Sequence, residues 1–276
     1  MSNEEHAKPS VAQVFDSVAA TYDQSGVAYF RPVAARLVSL LAPRPGEHAL
    51  DVGCGRGAVT MPLAAAVGPS GTVTAVDVSA AMVAATRDLV EAAGLTQVAV
   101  VQGDAAELGT EAGYDVLASS LVLFFLEDPL RALTRWVSLL APAGRIGLTT
   151  FGELDGPTRE IDALFAPWLP PGLLDPRTSG GDSPFASEAG MEELLRAAGA
   201  TDVTTVLEPN VVEFPDVETW RQFSMSTGQR AMWMAVPEPE RPGVLQRAGE
   251  VLERTREGDG RARLVWQMRY TLGRRP

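Results

Sequence analysis

The chain has 276 residues, 46% of them hydrophobic and 21% charged, with a net charge of -12. That length and apolar content suit one large α/β domain, and the acidic balance argues against nucleic acid or an anionic membrane as partner. A single cysteine, Cys54, excludes intramolecular disulfides and points to a reducing cytoplasm.

In chain order, residues 1 to about 9 are polar and charged, which reads as a disordered tail rather than a signal peptide. No apolar run is long enough to span a bilayer. Val11, Val14, Phe15 and Val18 recur at helical spacing, predicting a short amphipathic helix that runs to Tyr22. A second helix is expected from Pro32, with Val33, Leu37, Leu40 and Leu41 on one face and Pro43 and Pro45 ending it. From His48 apolar strands alternate with helical runs, the sign of a parallel sheet. The strands are expected near 48–52, 72–76, 97–101, 114–119 and 146–150. Met82, Val83, Thr86, Leu89 and Val90 form one helix face between them, and Leu130, Leu133, Trp136 and Val137 another.

After Phe151 the alternation stops for about 35 residues, a length usual for functional lids. The stretch is rich in proline and glycine yet carries Phe165 and Trp168. Ser187 then caps a helix, and a sixth strand is expected at 203–207. A second insertion, 215–258, holds Trp220, Phe223, Met225, Met232 and Trp233. The last strand alternates cleanly, with Leu264, Trp266, Met268, Tyr270 and Leu272 on one side and Arg263, Gln267 and Arg269 on the other. Such alternation marks an antiparallel strand, less deeply buried than its parallel neighbours.

The chemistry gathers at HALDVGCGRGAV, His48 to Val59, where a strand ends on Gly53, Gly55 and Gly57 before an alanine-rich helix. Glycines at such a turn let the backbone approach a ligand, and the helix start behind them offers free N–H groups. Asp77 ends the next strand, where a carboxylate can accept both hydroxyls of a ribose. These features fit a dinucleotide or an adenosyl cofactor alike. Asp51 separates them: from the end of the first strand it is expected to point at the ligand, where it would repel a pyrophosphate and suit the ammonium or sulfonium of S-adenosylmethionine. An NAD-dependent oxidoreductase is disfavoured on that ground and by the early third glycine.

LDVGCGRGAV, TAVDVSAAMV and VVQGDAAEL, followed by YDVLASSLVLFFLEDPLRAL and LLAPAGRIGLTTFG, resemble the ordered motifs of class I S-adenosylmethionine-dependent methyltransferases. The match is to the type 11 group, which includes the ubiquinone- and menaquinone-biosynthesis-type enzymes, and it is strong over residues 9 to 151. The resemblance implies a Rossmann-like, doubly wound, mostly parallel seven-stranded sheet with a final antiparallel strand and helical cap insertions. It divides the chain, one methyltransferase domain over 1–276, into a core at 43–151, 187–208 and 259–273 and cap elements at 9–42, 152–186 and 213–258. It also implies that FDSVAATYD lies over the cofactor mouth, making Tyr22 and Asp23 candidate contacts, and that Asp104 takes the adenine amino group while Ala105 donates a backbone N–H. The cofactor set is then Tyr22, Asp51, Gly53, Cys54, Gly55, Asp77, Val78, Met82, Asp104, Ala105 and Ser120, and the reaction product S-adenosylhomocysteine should bind as well.

Methyl transfer from a sulfonium needs mainly alignment and water exclusion, which positioning can supply to the extent of about 7–11 kcal/mol. A base matters only for a protonated nucleophile, and neither His6 nor His48 is placed for one. The candidates are Tyr22, Tyr29, Glu153 and Asp155. No metal site is readable, so the reaction should proceed without one. Both insertions are expected to fold over the methyl group as a lid, with Phe165, Trp168, Met225, Met232 and Trp233 holding a small, largely apolar acceptor. Two other accounts stand beside this one. The pocket could serve binding or a non-methylating reaction, and the apolar side chains could instead form a homodimer interface.

Overall fold

In the computed structural model, which describes residues 10–109, 111–169 and 183–276, the chain opens with two helices, α1 (Val11–Val18) and α2 (Phe30–Leu41). A strand–helix alternation follows: β1 (His48–Val52), α3 (Thr60–Val67), β2 (Thr72–Asp77), α4 (Ala80–Ala92), β3 (Val98–Gln102), β4 (Tyr114–Ser120), α5 (Pro129–Leu139) and β5 (Leu140–Leu154). Then come α6 (Gly156–Ala163), α7 (Glu188–Ala197), β6 (Thr201–Phe214), the three helices α8 (Val217–Met225), α9 (Arg230–Ala235) and α10 (Arg241–Arg254), and β7 (Ala262–Arg274).

The seven strands form one sheet in the order β3-β2-β1-β4-β5-β7-β6. Strands β1 to β5 are parallel, and β7 runs antiparallel to both of its neighbours. Period-two alternation sends Ala49 and Val116 to one face, beneath α2 and α3, and Leu50 and Leu117 to the other, beneath α5 and α7. Leu37, Leu63, Leu133 and Trp136 are fully covered there, the burial that amphipathic helices on both faces of a parallel sheet provide. Strand order reverses between β1 and β4, so a crevice opens past their carboxyl ends.

Three elements differ from the sequence reading. The first helix stops at Val18; turns carry the chain through Tyr22 to Asp23, whose φ of 55° is left-handed, and Tyr22 stacks on Phe30 at 4.5 Å. Strand β5 runs on past Thr150 to pair Leu154 with Trp266. Strand β6 spans 14 residues rather than the expected five, because its partner β7 supplies ladder bonds through Pro209, and a proline is tolerated where the strand's other edge is unpaired.

The cap stands at the carboxyl edge, where β5 and β6 end and β7 begins. Trp220, Phe223, Trp233 and Phe165 pack there with Val244, Ala248 and Val251 of α10. Asp155 ties this cap to the sheet: it caps α6 through Thr158 N at 2.7 Å and also accepts from Val265 N at 2.5 Å. Its carboxylate is thereby committed to structure rather than to proton transfer. Residues 170–182 of the first insertion lie outside the described residues. Among the described residues no helix is long and apolar enough to cross a membrane.

Candidate functional site

The glycine turn is built by backbone geometry that side chains resist. Gly53, Gly55 and Gly57 have φ of 75°, 52° and 81°, and the N–H groups of Gly53 and Cys54 both donate to the Val76 carbonyl, at 2.8 and 2.9 Å. These bonds hold the turn against the end of β2. There Asp77 Oδ2 accepts from Gly55 N at 2.8 Å and Oδ1 from Ser79 N at 2.9 Å. Each carboxylate oxygen keeps lone-pair capacity for a further donor. Burial pushes the Asp77 carboxyl above its ordinary range, and the two N–H groups oppose that shift.

Past these strand ends lies a cavity of about 660 Å³. Gly53, Gly55, Asp77, Val78, Met82, Asp104, Ala105 and Ser120 form one wall, and Tyr22 and Phe15 stand over it. Of the sequence-derived cofactor set, only Asp51 and Cys54 are missing from this lining. Met82 reaches it from the first turn of α4, which Ser79 caps by accepting from Met82 N at 3.1 Å. Asp104 caps a short 3-10 turn through Ala106 N at 2.8 Å while facing the cavity, and Trp136 Nε1 fixes the Ala105 carbonyl at 2.7 Å. A smaller recess beside Gly53 is lined by Tyr22, Asp23, Phe30, Cys54 and Arg56. Burial raises the Asp23 carboxyl while Arg31, 3.4 Å away, opposes that.

Asp51 does not point into the cavity as expected. Strand alternation turns it toward α3, where it is fully buried behind the glycines and accepts from Thr60 Oγ1 at 2.6 Å. Its other oxygen has no hydrogen-bond partner among the described residues. Burial, reinforced by the nearby Asp77, pushes its carboxyl up to about 7, opposed by the Thr60 bonds. A carboxyl raised in the folded state favours folding most below its unfolded value, and this contribution is lost as pH rises through about 7. Asp51→Asn is therefore expected to flatten the pH dependence of stability between pH 4 and 7, by up to about 4 kcal/mol across that window. Denaturant titrations of both proteins at several pH values would show it; parallel curves would contradict it.

The remaining assignments fare unevenly. Cys54 is buried with its thiol pushed well above the ordinary value by desolvation, so it is inert packing beside the recess. Tyr22 faces the cavity, but burial drives its phenol upward and keeps it protonated. Tyr29 sits in an aromatic cluster with Phe30, Phe223 and Trp266 and lines neither the cavity nor the recess. Glu153 is solvent-exposed and paired with Arg159 at 2.9 Å. Of the five acceptor candidates, none lines the cavity. Phe165 and Trp233 are buried against each other at 5.1 Å, and Trp168, Met225 and Met232 pack around them. Phe165 and Trp233 are covered within the cap, whereas Trp168, Met225 and Met232 are half-buried.

Val122, Phe125 and Leu126 are site features that sequence reasoning did not single out, and Phe15 and Asp16 open the FDSVAATYD segment that the resemblance placed over the cofactor mouth without giving them a role. Phe15 and Phe125 meet edge-to-face at 5.4 Å over the cavity, and Val122 lies against Gly53. Leu121, just before it, holds a φ of 62°, a strained turn that brings the chain back over the glycines. The non-glycine turn after a strand had no local signature. Among the described residues no group of three or more His, Cys, Asp or Glu is placed to hold a metal.

An adenosyl cofactor fits this arrangement on two counts: the spare capacity of Asp77 at the cavity wall and the absence of a Cβ at the turn. Comparisons point the same way. A model described as a methyltransferase domain matches residues 49–144. The nocamycin O-methyltransferase of Saccharothrix syringae is 39% identical over 242 residues, covering 83% of this chain and 85% of that protein. The aklanonic acid methyltransferase of Streptomyces sp. (strain C5) is 36% identical over 169 residues, 61% of this chain and 77% of that one. In fold, the crystal structure of the 4+2 cyclase SpnF aligns over 97% of both chains with a TM-score of 0.57 at 22% identity.

Proposed function

This chain belongs to the class I S-adenosylmethionine-dependent methyltransferases of the type 11-like group, and from that premise we propose that it methylates an oxygen of a small, largely apolar acceptor that ionises by itself. When bound, S-adenosylmethionine supplies a methyl group on a sulfonium, a leaving group that needs no protonation. Asp77 would take the ribose hydroxyls, Asp104 and Ala105 the adenine edge, and Met82 the adenine face. Asp23, in the recess beside the glycines, would face the cofactor's ammonium. Phe15, Phe125 and Leu126, which line the same cavity, would keep water from the methyl group.

The observation that carries the acceptor reading is that no histidine lines the cavity and that its carboxylates other than Asp77, namely Asp104, Glu107, Glu127 and Asp128, are solvent-exposed. Tyr22 is held protonated, Asp23 faces Arg31, and the capacity that Asp77 keeps beside its two N–H donors is the part assigned to the ribose. His48 lies at the opposite, amino end of β1, bonded to Thr72. A carboxylic acid or an acidic enol needs no such help at neutral pH. The two curated relatives are named for O-methyl transfer on nocamycin and for transfer to aklanonic acid, in keeping with such acceptors.

The test is the pH profile of kcat/KM for two acceptors whose own pKa values differ by about two units. The acidic limb should move with the acceptor, and S-adenosylhomocysteine should form in step with methylated product. A limb that stays put for both acceptors would assign a base to the protein and overturn this reading. Asp77→Ala should weaken S-adenosylhomocysteine binding by about 1.5–3 kcal/mol, the range for hydrogen bonds to a charged group. Calorimetry would check it, and tighter binding of NAD than of S-adenosylhomocysteine would contradict the site assignment.

A further inference from the structure

Helix α1 has eight residues, of which only Val18 is buried, and a helix so short has little stability of its own. Its position depends on what holds it. Among the described residues, and apart from Gln13 Oε1 accepting from the capping Ser10 N, the hydrogen bonds that join its side chains to the rest of the protein all end on Asp16. One carboxylate oxygen, Oδ1, accepts from Ser79 Oγ at 2.5 Å and from Ala81 N at 3.2 Å, across 63 and 65 residues of sequence.

Ser79 is fully buried and completely committed. Its N–H donates to Asp77 Oδ1, its hydroxyl oxygen accepts from Met82 N, and its hydroxyl proton goes to Asp16. Two residues that line the cavity, Asp77 and Met82, are therefore joined through Ser79 to a helix that itself lines the cavity with Val11, Ala12 and Phe15. Without Asp16 the buried hydroxyl would have to find another acceptor. Asp77 Oδ1 already accepts from Ser79 N, and a further bond from the hydroxyl to it would consume the capacity that a ribose hydroxyl needs.

We propose that Asp16 is a positioning residue that, through Ser79, couples closure of α1 over the cavity to the binding of the adenosyl group at Asp77. The proposal rests on the cofactor assignment made above. It goes against the simple electrostatic expectation. The Asp16 charge raises the Asp77 carboxyl, so charge alone would make its removal harmless or helpful to a carboxylate that must stay ionised. The hydrogen-bond relay makes removal harmful, and it makes the acceptor oxygen rather than the charge the essential feature.

Calorimetry with S-adenosylhomocysteine on the wild type, Asp16→Ala and Asp16→Asn, together with hydrogen exchange over residues 11–18, separates the two. Asp16→Ala should bind about 10-fold more weakly, the loss expected for one charge-assisted bond. Asp16→Asn keeps an oxygen at the same place and should stay within about 3-fold of the wild type. Exchange protection of α1 should rise with ligand in the wild type and in Asp16→Asn but not in Asp16→Ala. Because the side chain is exposed and Ser79 still caps α4, the alanine variant should fold. Equal affinity of Asp16→Ala and wild type, equal weakness of both variants, or undiminished protection of α1 in Asp16→Ala would each overturn the proposal. Failure of the wild type to bind S-adenosylhomocysteine would instead remove the cofactor assignment beneath it.

Discussion

Gly53→Ala should weaken S-adenosylhomocysteine binding by about 100-fold or more, the equivalent of about 3 kcal/mol. Two effects add. The φ of 75° is left-handed, a conformation that costs a residue with a Cβ roughly 1–2 kcal/mol. The new Cβ would also overlap the methyl groups of Val122, and overpacking of that kind costs about 1–3 kcal/mol. Relief requires the turn or the segment after β4 to move, and both line the cavity. The bond from Gly53 N to Val76 would be strained in the same movement. Calorimetric titration would read the loss directly. An alanine variant that binds as tightly as the wild type would mean the close packing of Val122 on the turn is not needed for the site.

Trp233→Ala should destabilise the fold by about 3–5 kcal/mol, the usual cost of deleting a buried aromatic side chain. Trp233 is 2% exposed, lies 5.8 Å from Trp220 and 5.1 Å from Phe165, and donates from Nε1 to Ser224 Oγ at 2.7 Å. Its removal leaves a cavity among rings that cannot collapse into it and deprives a buried hydroxyl of its donor. Because none of these residues lines the cofactor cavity, S-adenosylhomocysteine affinity in the folded variant should stay near wild type. Denaturant melts and calorimetry on the same samples would test both halves. A stable variant that had lost only acceptor turnover would restore Trp233 to the acceptor site.

The site was legible where it is made of contiguous residues. The glycine turn, Asp77 at a strand tip and Met82 one turn into a helix each follow from a local pattern, because strand ends, turns and helix starts are set within a few residues. Asp51 shows the limit of such reading. Its place in the sequence was right for a ligand contact, yet strand alternation turned it toward Thr60, and a two-residue period decides that direction only once the layer beneath is known. Asp16 lay in the segment the resemblance placed over the cofactor mouth, but its role, like that of Phe125, carried no local signal, since their partners lie far along the chain or across the crevice.

Sequence by itself thus determined the alternation of strands and helices and the glycine turn, because hydrophobic period and glycine placement are properties of single segments, while the reversal of strand order that opens the crevice was implied only by the family resemblance. Tertiary structure alone decided which apolar residues are core and which are wall. Phe165 and Trp233 have the composition of a binding pocket and are packed into one another, whereas Phe125, which looked like an ordinary loop residue, stands over the cavity with Phe15. Hydrophobicity states that a side chain must leave water, but the partner it leaves water with is fixed by how β5, β6 and β7 bring distant segments to one edge of the sheet.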